Sequence, residues 1–243
     1  RFALSSDESI PASTLASRLV DIYRAPERVY RAMRANGGEW YDWLVPTLLA
    51  AAFWALHNSS ILADPTDLTN WETLSEAERQ MARDAMAMWR SHVWFSLPLV
   101  NSLASLAAGA LALVACCRWF LRREVTLRQM LAVKGYASMM MIPRWLLLSL
   151  CQRLGATNVA FGPASLLAPD ERNDITGQIL VGLDLFDFWQ AIVLGVGLAV
   201  MTERDPRWGI LLSIGLWLLW VILGSLTSAL PTGPSPMSPL RGL

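Results

Sequence analysis

The sequence has 243 residues, 54% apolar and 16% charged, with basic and acidic residues in equal number and a formal net charge of zero. Balanced charge leaves no electrostatic footprint for nucleic acid. The three cysteines, Cys116, Cys117 and Cys151, form no CxxC spacing and no disulfide framework. They read as small apolar residues at the ends of apolar runs.

The chain opens on Arg1 without the basic, apolar and small-residue succession of a signal peptide, so we expect a processed start or missing leading residues. Residues 1–41 read as a cytoplasmic amphipathic segment holding two short helices between Ser13 and Arg34. Leu15, Leu19, Ile22 and Tyr23 line one side of the first. Pro26 suits the opening turn of the second, with Val29, Tyr30 and Met33 on its apolar side. Arg24, Arg28 and Arg31 share another face. An apolar stripe beside an arginine stripe suits a helix lying in the cytoplasmic interface, drawn by anionic lipid. The other reading is a lid helix packed on a bundle, and the two can both hold.

Residues 42–228 hold five expected transmembrane helices. Val93–Cys117 is a 25-residue run without charge and Trp208–Leu230 one of 23, each long enough to cross the roughly 30 Å hydrocarbon core. The first span is expected at Asp42–Ile61 and the third at Gln129–Cys151. The fourth, at Leu183–Met201, has Asp184, Asp187 and Gln190 in its first turns. Tryptophans gather where apolar runs meet polar ones, at Trp40, Trp43, Trp71, Trp89, Trp94, Trp119 and Trp208. Between the first two spans, Ser75 and Glu78 have capping-box spacing, expected to start a helix that runs through Trp89 into span two, with Pro98 as a kink. Leu154–Ala168 is apolar but broken by glycine and proline, as in an interfacial or re-entrant stretch. Residues 229–243 form a proline-rich tail.

Arginine distribution orients the spans. Arginines crowd the segment before span one, the link between spans two and three (Arg118, Arg122, Arg123, Arg128) and the link between spans four and five (Arg204, Arg207). This places the N-terminus in the cytoplasm and the C-terminus outside.

Arg144 on span three needs a partner at its depth, and Asp184 and Asp187, on one side of span four, are expected to supply it. We read them as a structural pair that orders two helices, the competing reading being a substrate or proton site. Lys134 is expected to reach the interface as an anchor. His57 and His92 lack metal-ligand spacing and read as polar residues at helix ends, so no metal or cofactor is expected. Ser105 and Gly109, with Ala108 and Ala112, and further on Gly195 and Gly197, make small-residue faces for close helix packing, inside the bundle or against another protein.

Three stretches carry a resemblance. They are Leu19 to Pro26 followed by Trp40 and Pro46, Val125 to Tyr136 leading to Pro143, and Leu183 to Trp189 followed by Gly197 and the short charged turn before span five. In this order they resemble bacterial YIP-domain proteins over residues 15–228. The resemblance implies a cytoplasmic N-terminus, five helices and no catalytic residues. Eukaryotic relatives are named for interaction with Ypt/Rab GTPases and work in vesicle traffic and membrane shaping. The N-terminal region here is short and arginine-rich, so Rab-type GTPase binding is not inferred. The expectation is an all-α, multi-pass protein of the bacterial inner membrane, a scaffold or accessory subunit with lipid and other integral membrane proteins as partners and no nucleic acid. The alternative is a transporter or channel using Arg144, Asp184, Asp187 and Asn101.

Overall fold

The computed structural model describes residues 14–36, 39–61, 74–88, 94–156, 159–168 and 171–229. The described residues are helical, with no strand among them. The N-terminal pair is α1 (Leu15–Asp21) and α2 (Pro26–Ala35). Then come α3 (Trp40–Ile61), α4 (Glu76–Met88) and α5 (Trp94–Cys116), which ends in a π-helical turn at Cys117–Leu121. After these follow α6 (Leu127–Ser138), α7 (Met141–Arg153), 3-10 turns at Pro163–Leu166 and Glu171–Asn173, α8 (Ile175–Gly182), α9 (Leu185–Thr202) and α10 (Pro206–Ala229). Three segments are long and apolar enough to cross a membrane: Pro98–Leu121, Leu185–Thr202 and Pro206–Thr227. The α3 helix has 22 residues, about 33 Å at 1.5 Å per residue.

The expected third span is two helices joined by a tightened turn. Met139 and Met140 keep right-handed helical dihedrals (φ −58°, ψ −27° and φ −62°, ψ −17°), so the backbone kinks rather than reverses. Pro143 supplies the reason. It has no N–H to give the carbonyl of Met139, four residues back. That oxygen instead accepts a shorter-range bond from the Ile142 N–H at 3.0 Å and a second from the Tyr23 hydroxyl at 2.6 Å. Burial pushes the Tyr23 phenol up to about 12, so it remains a donor at physiological pH.

Tyr23 is one of several latches that set α1 and α2 onto the bundle. The α1 helix starts at Thr14, whose hydroxyl accepts from the Ser17 N–H at 3.2 Å. On its inner side, with Ile22, lies Arg18, which is 5% exposed and bonds Asp42 at the start of α3 at 2.5 Å. Asp42, fully buried, also accepts from the Glu39 N–H at 2.8 Å and the Tyr136 hydroxyl at 3.3 Å. On α2, Val29, Tyr30, Ala32 and Met33 are buried, and the Tyr30 hydroxyl donates to the Val133 carbonyl at 3.2 Å. Arg34 pairs with Glu203 and donates to the Val200 carbonyl. The apolar stripe of α2 therefore belongs to the protein core and is not free for lipid. The lid packed on the bundle is observed, which the interfacial reading of the arginine face also allows. Arg24, Arg28 and Arg31 stay on its exposed side, Arg31 paired with Glu27 at 2.5 Å.

Backbones close up at glycines. A Cβ on Gly135 of α6 would stand 2.8 Å from the Trp43 carbonyl oxygen of α3, and one on Gly195 of α9 would stand 2.5 Å from Ile210 Cα of α10. Gly209 meets the Gly195 carbonyl from the other side, and Ser213 donates to the Ala191 carbonyl at 2.6 Å. Gly197 lies under Tyr30 and Val133. Both glycines expected to mediate packing on span four do so.

The face expected on α5 divides differently. Leu106, Ala110 and Leu113 are its buried residues, whereas Ser105, Ala108 and Ala112 are exposed and Gly109 is covered by the stem of Lys134. Apart from Gly109, the small-residue face of α5 does not pack inside the bundle. Larger apolar residues one position along fill the core better.

The capping box at Ser75 and Glu78 is present, with Ser75 donating its N–H and hydroxyl to Glu78 at 2.8 and 2.6 Å. These bonds hold the Glu78 carboxyl below its usual range. Trp89 and His92, the expected join to α5 and the C-terminal tail lie outside the described residues. The stretch after α7 returns against the α8–α9 elbow. Leu185 donates its N–H to the Phe161 carbonyl at 2.8 Å, and Phe161 meets Phe186 edge-on at 5.3 Å.

Two stability outcomes follow. Asp42→Ala strands the buried Arg18 and should cost about 3–5 kcal/mol, whereas the double replacement Arg18→Met with Asp42→Leu should recover most of it. Gly195→Ala should destabilise by about 1–3 kcal/mol, while Gly215→Ala, with open space around it, should be neutral or better. Denaturation midpoints of the purified variants in one detergent check both.

Candidate functional site

A charged group embedded among the apolar helices sits where α7 meets the start of α9. Asp184 caps α9, its Oδ1 accepting from the Phe186 N–H at 2.8 Å, and is 5% exposed. Its second oxygen is 3.4 Å from Arg144 Nε, and Asp187 Oδ2 is 3.5 Å from Arg144 Nη1. The expected partners of Arg144 are thus both found. Neither approach aligns as a hydrogen bond, and Arg144 Nε is a buried donor without one. The guanidinium is held by charge from two sides rather than gripped by a bidentate carboxylate.

Lys134 departs from its expected role. Its stem crosses Gly109 of α5. The stem thus lies along α5, while the ion pairs of Asp184 and Asp187 are with Arg144. A Cβ on Gly109 would stand 3.3 Å from Lys134 Cε, a close contact with the end of a flexible side chain.

An aromatic wall closes the other side of Arg144. The guanidinium lies 5.1 Å from the Trp145 ring centroid, a cation–π contact. Trp145 stacks on His57 at 5.2 Å and on Trp54 at 6.4 Å. His57 Nδ1 is 3.1 Å from the Ser149 hydroxyl. His57 is therefore an interhelical polar residue between α3 and α7. No group of three or more potential metal ligands occurs among the described residues. Asn101 lies on the exposed side of α5.

The second buried polar group, Arg18 with Asp42 and Tyr136, was not anticipated as a site. Its signal was present in the sequence. Asp42 opens an apolar helix and Arg18 interrupts an apolar helix face, and two opposite charges in such places need one another. A second capping box, Thr126 with Gln129 at the start of α6, also had a readable spacing.

No family model, curated protein or solved structure matches this chain.

Asp184 has two tasks that substitution can separate. Asp184→Asn keeps the cap and loses the charge, whereas Asp184→Ala loses both and should cost about 1 kcal/mol more. Equal thermal midpoints for the two variants would show that the cap contributes nothing.

Proposed function

We propose that this chain is a five-helix membrane protein of the YIP type. It works without catalysis, as a scaffold or accessory subunit that packs against other integral membrane proteins or organises lipid around them. The spans are α3, α5, the kinked α6–α7 unit, α9 and α10. The protein resides in a bacterial inner membrane with its N-terminus cytoplasmic and its C-terminus outside. The orientation is supported by the arginines at the end of the bundle where α1, α2, the α5–α6 link and the α9–α10 turn gather.

The observation that carries the reading is the outward face of α5. Only 17% of its apolar span is buried, against 50% for α9, and the uncovered side presents Ser105, Ala108 and Ala112. Small residues on an uncovered span let a second helix approach closely. The buried charges meanwhile face one another. The three stretches that resemble YIP proteins also coincide with fixed points of the fold, namely Tyr23 on the Pro143 kink, Tyr136 on Asp42, and Asp184 capping α9.

Gentle extraction from native membranes followed by native mass spectrometry should reveal a complex of fixed stoichiometry. Ala108→Trp should lower partner recovery without moving the thermal midpoint. A lone monomer, unchanged by this substitution, contradicts the subunit reading.

A transport reading draws on one observation, that Arg144 and Asp187 keep 23% and 29% exposure. It requires Asp187→Asn to abolish solute or ion flux in proteoliposomes at unchanged stability. Loss of stability assigns Asp187 to the structural pair instead.

A further inference from the structure

The end of the bundle that holds the α5–α6 link carries a feature outside the charge cluster. At Cys117 the α5 helix widens into a π turn, and Arg122 ends it with a left-handed backbone, φ 50°. A non-glycine residue there is strained, and such outliers and π turns concentrate at functional places. Trp119 and Phe120 on this turn are 76% and 69% exposed. Beside it lies a cleft of about 690 Å³ walled by Val114, Val125 and Leu127, with Arg118, Glu124 and Thr126 at its polar edge.

Charge complements this shape. Arg118, Arg122 and Arg123 are exposed and form no salt bridge among the described residues, in contrast to Arg18, Arg31, Arg34, Arg128 and Arg144. Glu124 is the one carboxylate in the link between Cys117 and Thr126. Arg204 of the α9–α10 turn adds a further cation, donating to the Leu121 carbonyl at 3.3 Å. The spot thus combines a cleft with Val114, Val125 and Leu127 on one side and Arg118, Glu124, Thr126 and Gln129 on the other, two outward aromatic rings, and the exposed Arg122 and Arg123 on the same link.

We propose that this cleft binds one anionic glycerophospholipid, its phosphate at Arg118, Arg122 and Arg123 and an acyl chain along Val114, Val125 and Leu127. Trp119 and Phe120 hold the neighbouring interface. The proposal rests on the membrane reading above but not on any protein partner.

The test is native mass spectrometry of the detergent-purified full chain titrated with phosphatidylglycerol or phosphatidylcholine of identical acyl chains. One phosphatidylglycerol should be retained in preference to phosphatidylcholine. Arg118→Gln with Arg122→Gly should weaken that retention about thirtyfold, each arginine contributing about a factor of five. Arg122→Gly alone should raise the thermal midpoint in lipid-free detergent while weakening retention. Arg24→Gln with Arg28→Gln removes the same charge elsewhere and should leave retention unchanged. Equal retention of the two lipids overturns the proposal, as does equal loss in the Arg24/Arg28 control, which makes the attraction diffuse. Displacement by millimolar glycerol phosphate would also overturn it, since the groove would then not contribute. A protein partner found or absent in the same spectra bears on the subunit reading alone.

Discussion

The fold turns on the burial of Arg18 against Asp42. Neither charge can leave water without the other, and each comes from a segment with a different character, a short polar helix and a long apolar one. Their pairing brings α1 to the start of α3, and the Tyr136 hydroxyl brings α6 to the same carboxylate. Tyr23 and Tyr30 then reach the backbone of α6 and the kink beyond it. The N-terminal helices thus act as a brace across the ends of the apolar helices, and the Met139 carbonyl freed by Pro143 is held by Tyr23, 116 positions before Met139.

The same economy of polar groups organises the other end. Arg144 faces Asp184 and Asp187 between α7 and α9, with Trp145 against the guanidinium and His57 of α3 stacked on Trp145. Two buried charge groups, one near each end of the bundle, fix the mutual positions of α3, α6, α7 and α9. The flanks of α5 and α10 are left apolar and uncovered, which is where a membrane protein meets lipid or a partner.

Much of this was legible in the sequence, for identifiable reasons. Apolar run length located α5, α9 and α10. Helical periodicity gave the inner face of α2, and the spacing of Asp184 and Asp187 placed both on the side of α9 that meets Arg144. What escaped depends on three-dimensional neighbours. Whether α2 turned its stripe to lipid or to protein was decided by Gly197 and Val133, which make the seat for Tyr30. The course of the Lys134 stem over Gly109 of α5 is likewise a matter of neighbours. The small residues of α5 had the right spacing for packing, but Leu106, Ala110 and Leu113 took the core. Arg18 and Asp42 could have been matched by their shared need for a counter-charge, although 24 residues and a turn separate them.

The proposed arrangement has five membrane crossings, with α6 and α7 acting together as one span. Site-directed labelling tests it most directly, in a chain with Cys116, Cys117 and Cys151 replaced and single cysteines introduced in turn. In intact spheroplasts a membrane-impermeant maleimide should label Glu78→Cys and Leu154→Cys. It should reach Glu27→Cys, Glu124→Cys and Asp205→Cys only after the membrane is permeabilised. If Leu154→Cys is instead protected together with Glu124→Cys, α6 and α7 do not cross, and the five-span account is contradicted.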